Sequence, residues 1–324
     1  MAVLEITTVI GCPLMCTFCP QDALVKSYRG SSGGKQMSLE TFETILDKVP
    51  AHVQLDFSGM SEPWANPAAT QMVELALQRG RRIAIFTTLS GMSVEDSVYL
   101  TEKLIPQYEE QIIKICLHMP DSKMNMRGYK EGSPEYREVL QNFLKLKESG
   151  AYPAKKFRIM TMDRSGHVHS DLQDLLPELA GWNGHSRAGS LNPKLAEKTG
   201  AFPPAHNEFP LLCASTPFYD HNVLLPNGDV VLCCMDYALK HVIGNLLTMD
   251  YWSLFTSEEM NRLRLENQKS EFSKCSICKQ CGNVLKYDSE HNKIGKNGQG
   301  ESTKVHFKDV VGYFKRKARS LVPK

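Results

Sequence analysis

The chain has 324 residues, of which 42% are hydrophobic, and a formal net charge of +2 at pH 7. This length and apolar content suffice for one large domain, or for a large and a small domain. A secreted disulfide scaffold is excluded because such scaffolds are shorter, and because seven of the ten cysteines fall in groups that suit metal ligation.

Strand and helix patterns alternate through the first half of the chain. Apolar runs typical of buried parallel strands occur at residues 4–9, 53–57, 82–87, 112–117 and 157–162. Helical periodicity lies between them, at residues 38–50, 67–79 and 133–150. Repeated units of this kind predict a parallel sheet curled into a full or partial barrel, with the active site at the carboxyl ends of the strands.

Three cysteines follow the first predicted strand: Cys12, Cys16 and Cys19, separated by three and then by two residues. Three thiolates on one loop can hold three irons of a cubane cluster and leave the fourth iron open to a small molecule. A zinc knuckle would need a fourth ligand close by, and no Cys or His lies between Cys19 and His52. The loop therefore predicts chemistry at an iron–sulfur cluster.

This spacing, with the aromatic Phe18 before the last cysteine, resembles the signature of the radical S-adenosylmethionine (SAM) superfamily. The resemblance implies a partial six-unit barrel of the TIM type over roughly residues 1–200. It also implies a [4Fe–4S] cluster whose open iron is chelated by SAM, and reductive cleavage of SAM to a 5′-deoxyadenosyl radical. An external electron donor such as flavodoxin or ferredoxin is the implied partner.

Further SAM contacts are implied by residues that follow the next three strands. Gly59, Met60, Ser61 and Glu62 resemble the family's glycine-rich segment, which holds the amino group of SAM. Small residues permit close approach of the backbone, and an ammonium group needs acceptors. Ser61 stands where glycine is usual. Thr88 and His118 occupy further positions where the family contacts SAM, and ordinary polar residues at strand ends are the alternative.

A second cysteine group lies in the last third of the chain. Its order, Cys213, Gly228, Cys233 and then Cys275, Cys278 and Cys281, resembles the SPASM extension in its shortened Twitch form. One auxiliary [4Fe–4S] cluster is expected, and the preferred ligands are Cys213, Cys233, Cys278 and Cys281, with Cys275 as the alternative to Cys281. Four thiolates in paired spacing also suit zinc, and spacing alone leaves this alternative open.

The same region contains local structure signals. Asn227 and Gly228 predict a tight hairpin turn that delivers Cys233 on the outgoing strand. Gly244 is expected to begin a short helical segment that runs toward Leu263.

Two residues are candidate catalytic groups. Arg187 lies in an Arg-Ala-Gly segment that related enzymes carry near the sixth strand, and its planar fork of donors suits a carboxylate or another polar substrate group. An exposed loop arginine is the alternative. Cys234 neighbours Cys233 and should point to the opposite face of its strand, where it is a candidate hydrogen donor. A buried structural thiol is its ordinary interpretation.

The resemblance favours hydrogen abstraction from a small polar substrate, such as a sugar or an aminocyclitol, followed by oxidation of an alcohol carbon. A radical epimerase and a peptide-modifying radical SAM enzyme are alternatives. A non-catalytic iron–sulfur carrier or scaffold is disfavoured, because a carrier would have every iron ligated by protein. A zinc-binding nucleic-acid module is also disfavoured, because Lys274 and Lys279 are the only basic residues within residues 273–283.

We expect three segments: a radical SAM barrel (1–200), a small α+β SPASM/Twitch-like domain (201–285) and a basic tail (286–324). The tail has eight Lys and two Arg against four acidic residues, or +6, so the rest carries −4. A polar linker is expected over residues 288–303, followed by a basic amphipathic helix over residues 306–321. No run of eighteen apolar residues and no secretory signal is present, so we expect a cytoplasmic protein without a transmembrane segment.

Overall fold

The computed structural model describes residues 2–28, 34–177, 179–181, 187–191, 204–288, 293–296 and 303–304. The strands in these ranges are β1 (Val3–Ile6), β2 (Gln54–Phe57), β3 (Ile83–Thr87), β4 (Ile112–Met119), β5 (Phe157–Thr161), β6 (Leu211–Cys213), β7 (His221–Leu224), β8 (Asp229–Val231), β9 (Val242–Asn245), β10 (Val284–Asp288), β11 (Lys293–Lys296) and β12 (Thr303–Lys304). The α-helices are α1 (Gln21–Tyr28), α2 (Leu39–Lys48), α3 (Ala69–Gln78), α4 (Val94–Tyr99), α5 (Ile105–Gln107), α6 (Pro134–Ser149) and α7 (Glu258–Gln268).

The first five strands form a parallel sheet in the order β5-β4-β3-β2-β1, and β7 adds a parallel strand on the other side of β1. A parallel bridge between Met160 and Ala180 extends the sheet beyond β5. The predicted α/β class is thereby confirmed, and the described strands form an open, mostly parallel sheet of the kind expected in a partial barrel.

Helix boundaries follow from local capping chemistry. Ser38 caps α2 by accepting a hydrogen bond from the Thr41 backbone NH at 3.0 Å. Ser133 caps α6 in the same way, and Gly150 ends that helix in the left-handed region at φ 72°. Both helices lie where the sequence predicts them. No helix in the described ranges is long and apolar enough to cross a bilayer.

The two faces of the parallel sheet differ in polarity. Leu4, Ile6, Leu55 and Phe57 are buried in the core together with side chains of α2, α3 and α6. The opposite face carries charge. In the strand register, Glu5 lies opposite Asp56, and Ala84 on β3 lies between Asp56 of β2 and Lys114 of β4. The inner side of this sheet is therefore polar, unlike the apolar layers that fill a closed barrel.

The C-terminal module extends the same sheet. Strands β7 and β8 form the predicted hairpin, with Gly228 at φ 85°, and β9 adds an antiparallel edge. Cys233 follows β8 by two residues instead of lying on it. A second sheet has the order β12-β11-β10-β6.

Two local predictions in this module are wrong. Gly244 lies in β9 instead of beginning a helix, because the neighbouring Asn245 pairs with Asp229 of β8 and donates to its carboxylate at 2.9 Å. Part of the expected polar linker forms β11, which pairs with β10 in an antiparallel ladder. The predicted tail helix over residues 306–321 lies outside the described residues.

Asn66 holds together three segments near the carboxyl ends of the strands. Its side-chain NH2 group donates to the carbonyl oxygens of Thr8 and Met37, both at 2.9 Å, and its oxygen accepts from the Ala68 backbone NH at 2.9 Å. Asn66 is only 3% exposed. It therefore fixes the loop after β1 against the entrances of α2 and α3.

We predict that Asn66→Leu lowers the free energy of unfolding by about 3 kcal/mol, because it leaves buried carbonyl groups unsatisfied at a cost of roughly 1–3 kcal/mol each. Urea unfolding of the variant and of the unsubstituted protein measures the difference. Asn261→Leu, at an exposed position of α7, is the matched control and should cost less than about 1 kcal/mol. An equal loss in the two variants would contradict the assigned role.

Candidate active site and auxiliary cluster site

A cavity lies at the carboxyl ends of the strands and collects residues from many parts of the chain. Its lining includes all three cysteines of the first group and all seven predicted SAM contacts. Those contacts are Phe18, Gly59, Met60, Ser61, Glu62, Thr88 and His118. Arg187 and Tyr237 complete the wall nearest the cysteines.

The cysteine loop after β1 is held by the segment that follows β4. The Thr17 backbone NH donates to the Asn125 carbonyl at 2.9 Å, and the Thr17 hydroxyl donates to the Asn125 side chain at 2.7 Å. Gly128 donates to the Leu14 carbonyl at 2.8 Å. A Cβ at position 128 would stand 2.1 Å from the Pro13 oxygen, so glycine is required for this close approach. Two loops thus clamp each other around the thiols.

The three thiols of the first group share a buried, coupled environment. Burial raises the pKa of Cys12 to about 11. The Cys16 thiol donates a hydrogen bond to Cys19, which lowers the pKa of Cys19 despite its burial, and Arg187 and Tyr237 act in the same direction. Three thiolates in this place need compensating positive charge. An iron cluster supplies that charge, so the donor set fits the cluster that the resemblance implies.

Glu62 joins the end of β2 to the end of β3. Its carboxylate accepts hydrogen bonds from the Thr87 hydroxyl at 2.6 Å and from the backbone NH and the hydroxyl of Thr88, both at 2.7 Å. It also accepts from the Trp64 backbone NH at 3.3 Å. Burial raises the pKa of Glu62, and these donors oppose that shift. The carboxylate therefore positions two strand ends in addition to lining the cavity.

Arg187 faces the cavity instead of solvent. Its guanidinium lies 5.6 Å from the centre of the Tyr237 ring and donates a hydrogen bond to Cys19. Burial lowers the pKa of Arg187, but Tyr237, Cys19, Cys234 and Glu5 outweigh that effect and raise it above the ordinary value. The guanidinium is a permanent positive charge beside the first cysteine group.

His118 is an uncharged group in the same cavity. Burial lowers the pKa of His118 to about 4, and Lys114, Arg158 and Arg187 contribute in the same direction. The imidazole is therefore neutral at pH 7, and its unprotonated ring nitrogen can accept a hydrogen bond from a bound molecule.

Cys234 lies on the other side of its chain segment from Cys233. Its thiol contacts Glu5, and burial followed by the Glu5 charge raises the pKa of Cys234. Cys234 is not among the cavity-lining residues in the described part of the chain. Its sulfur is thus placed toward the polar inner face of the sheet and not toward the predicted SAM contacts.

The second cysteine group comes together from three chain segments. Cys213 ends β6, Cys233 follows β8, and Cys278 and Cys281 lie in and after the short turn Ile277–Gln280. Burial raises the pKa of Cys278 to about 12, and the neighbouring Cys213 and Cys281 thiols add to the shift. Burial also raises the pKa of Cys233, with Cys278 and Cys213 among the contributing neighbours. Cys275, by contrast, is exposed.

Within the described ranges, no three His, Cys, Asp or Glu side chains converge as ligands of one metal ion. A cubane cluster would take one thiolate on each of its irons, so its ligands need not meet at one point.

Two residues near these cysteines are not identified by sequence reasoning. Lys279 stands between Cys278 and Cys281 and enters the sequence analysis only as one of two basic residues there, yet it is fully buried. Its ammonium donates to the carbonyl oxygens of Phe209 at 2.9 Å and Lys269 at 2.6 Å, which anchors the turn. Tyr237 lines the cavity from a position four residues after Cys233. In the sequence, Tyr237 lies between two candidate cluster ligands, and this position is the only sequence signal for its role.

Residues 213–282 match the family model of SPASM, an iron-sulfur cluster-binding domain. We call these residues the SPASM domain after that match. The match favours an iron–sulfur cluster over zinc for the second cysteine group. It also places all four preferred ligands within the matched residues.

Solved structures were compared with the whole chain. BtrN in complex with AdoMet and 2-DOIA is similar with a TM-score of 0.53 and 16% identity, over 87% of this chain and 93% of BtrN. Native anSMEcpe with bound AdoMet has a TM-score of 0.47 and 13% identity, over 98% of this chain and 97% of that one. Streptococcus suis SuiB bound to precursor peptide SuiA has a TM-score of 0.43 and 14% identity, over 87% of this chain and 69% of SuiB. The comparison with curated proteins gives no match.

The likeness to BtrN shows a shared fold over most of both chains. It confirms the fold that the resemblance implies. The SPASM match agrees with the predicted C-terminal extension. The residue assignments within the two sites remain predictions.

We predict that Cys281→Ala loses the auxiliary cluster whereas Cys275→Ala retains it, because Cys281 lies close to Cys213 and Cys278 whereas Cys275 is exposed. Iron counting after anaerobic reconstitution should fall from about eight to about four irons per chain in Cys281→Ala. It should stay at about eight in Cys275→Ala. The reverse outcome would move the fourth ligand to Cys275.

Proposed function

We propose that this chain is a radical SAM enzyme in which Cys12, Cys16 and Cys19 hold the SAM-binding cluster. The observation that supports it is a single cavity that brings the three thiols together with the seven residues predicted to contact SAM. When bound, the cluster and SAM supply an adenosyl radical that removes a hydrogen atom from substrate carbon.

Different residues of the chain have different roles in binding SAM. The backbone carbonyls of residues 59–61 are acceptors for its ammonium group, and Glu62 keeps this segment fixed against β3. Phe18, Phe86, Met126 and Met162 give the cavity an apolar lining. Such a lining excludes water from a reactive intermediate.

We infer a small polar substrate of the sugar or aminocyclitol type and oxidation of one of its alcohol carbons. BtrN, which shares the fold, was solved with AdoMet and 2-DOIA. An alcohol oxidation needs a group that takes the hydroxyl proton, and the neutral imidazole of His118 in the cavity suits that role. In this proposal Cys213, Cys233, Cys278 and Cys281 would hold the auxiliary cluster, which would supply an acceptor for the remaining electron, and Arg187 would hold a polar substrate group.

Epimerisation at a carbon centre is less well supported by the geometry. It needs a hydrogen donor on the opposite face of the substrate, and Cys234 is the candidate thiol. In the described part of the chain, however, Cys234 contacts Glu5 and does not line the cavity.

An external one-electron donor, flavodoxin or ferredoxin, is part of the proposal. A surface groove runs along the outer side of the cysteine loop and is lined by Met15, Cys16, Cys19 and Arg127. Met15 is 56% exposed, and its carbonyl accepts a hydrogen bond from Arg127 at 3.2 Å. This groove gives a docked donor a short route to the first cluster.

We predict that Cys16→Ala abolishes formation of 5′-deoxyadenosine from SAM under reducing conditions, because the open cluster cannot assemble on two thiolates. The auxiliary cluster should remain, since its ligands lie elsewhere in the chain. Product analysis by liquid chromatography measures SAM cleavage, and Cys275→Ala serves as the active control. Undiminished cleavage in Cys16→Ala would exclude the proposed function.

The fate of hydrogen at the reacting carbon is predicted to distinguish oxidation from epimerisation. In deuterium oxide, oxidation should give a carbonyl product with one deoxyadenosine per turnover and no deuterium at carbon. Epimerisation would deliver an exchangeable thiol hydrogen and leave deuterium at the inverted carbon. Mass spectrometry of the product therefore decides, and deuterium that disappears in Cys234→Ala would reverse the assignment.

A further inference from the structure

Tyr237 lies within the SPASM domain and contacts Cys19, a candidate ligand of the first cluster. Its hydroxyl lies 3.7 Å from the sulfur of Cys19 and donates a hydrogen bond to it. The two residues are 218 positions apart in the sequence. A phenolic hydroxyl of the C-terminal module thus reaches the proposed SAM-binding cluster site.

The phenol is held in place by its surroundings. Tyr237 is 3% exposed and packs in a buried cluster with Leu24, Tyr28 and Met60. The turn that carries it is closed by the Asp236 backbone NH, which donates to the Cys233 carbonyl at 3.0 Å. The Asp236 carboxylate accepts from the backbone NH groups of Lys240 at 2.9 Å and His241 at 2.7 Å. The donor is therefore preorganised and does not depend on substrate.

A hydrogen bond to a cluster thiolate changes the energy of cluster reduction. The reduced cluster carries one more negative charge, so its sulfurs are better acceptors, and a fixed donor stabilises that state more than the oxidised one. The external donor protein supplies the electron, and the O–H bond of Tyr237 stays intact.

We propose that Tyr237 is a positioning residue through which the SPASM domain raises the reduction potential of the cluster at Cys12, Cys16 and Cys19. This inference rests on the proposed function, since it requires a cluster at those cysteines. Residues 233–237 then link the two clusters, because one end provides an auxiliary ligand and the other end donates to Cys19.

The test is a redox titration of the reconstituted full-length protein, monitored by electron paramagnetic resonance and carried out without SAM. Tyr237→Phe removes only the hydroxyl oxygen. The equilibrium constant for reducing the first cluster should fall about tenfold, which corresponds to about 59 mV for one electron. The auxiliary cluster should titrate as before.

Tyr28→Phe is the matched control, because Tyr28 belongs to the same buried cluster but donates to the Gly34 carbonyl at 2.9 Å. It should leave both potentials unchanged. An unchanged first-cluster potential in Tyr237→Phe, or an equal shift in Tyr28→Phe, would overturn the inference and leave the proposed function standing. A wild-type protein that holds no cluster at the first site would overturn both.

A second measurement tests the inference if the Tyr237→Phe variant does not retain its clusters. Replacing all tyrosines by 3-fluorotyrosine makes the phenol a stronger donor at nearly constant size. The reduction potential of the first cluster should then be higher than in the protein with ordinary tyrosine. The Tyr28→Phe variant produced with 3-fluorotyrosine should show the same rise. An unchanged potential would contradict the role of Tyr237.

Discussion

Charge balance around the first cysteine group is the constraint on which the site depends. Three thiols and the carboxylate of Glu62 line one cavity. Burial and, to a smaller extent, the Glu62 charge raise the pKa of Cys12, while the backbone NH groups of Leu14 and Glu62 oppose that shift. Arg187 brings a guanidinium to the same place and donates to Cys19. Because thiolates at such a site are unfavourable without a bound cation, we expect folding of the loop and loading of a cluster to be coupled.

The connection between the two modules follows from the central position of β1. This strand has β2 on one side and β7 of the SPASM segment on the other, and both neighbours are parallel to it. Strand β8 runs antiparallel to β7 and ends with Val231 opposite Val223, which is itself opposite Glu5 of β1, so the chain after β8 starts one strand away from β1. That arrangement brings Tyr237 to Cys19, and it makes the SPASM domain part of the wall of the proposed active site.

Much of this architecture could be predicted because its signals are local. Strand and helix positions follow from the periodicity of apolar residues and from caps such as Ser38 and Ser133. The cysteine spacings predict both sites. The contact of Tyr237 with Cys19 and the burial of Lys279 arise from tertiary packing, for which a single sequence carries no local pattern. The polar inner face had a visible signal, the alternation Leu4-Glu5-Ile6 and Leu55-Asp56-Phe57, whose meaning requires the strand pairing.

The central claim is that the first cluster has an iron open to SAM. Its most direct test is electron–nuclear double resonance of the reduced protein mixed with SAM that is isotope-labelled at its amino nitrogen and carboxylate oxygens. The account predicts hyperfine coupling of both labels to the reduced first cluster, since a three-cysteine site leaves one iron for these atoms. A reduced first cluster that shows coupling to neither label in the presence of SAM would contradict it.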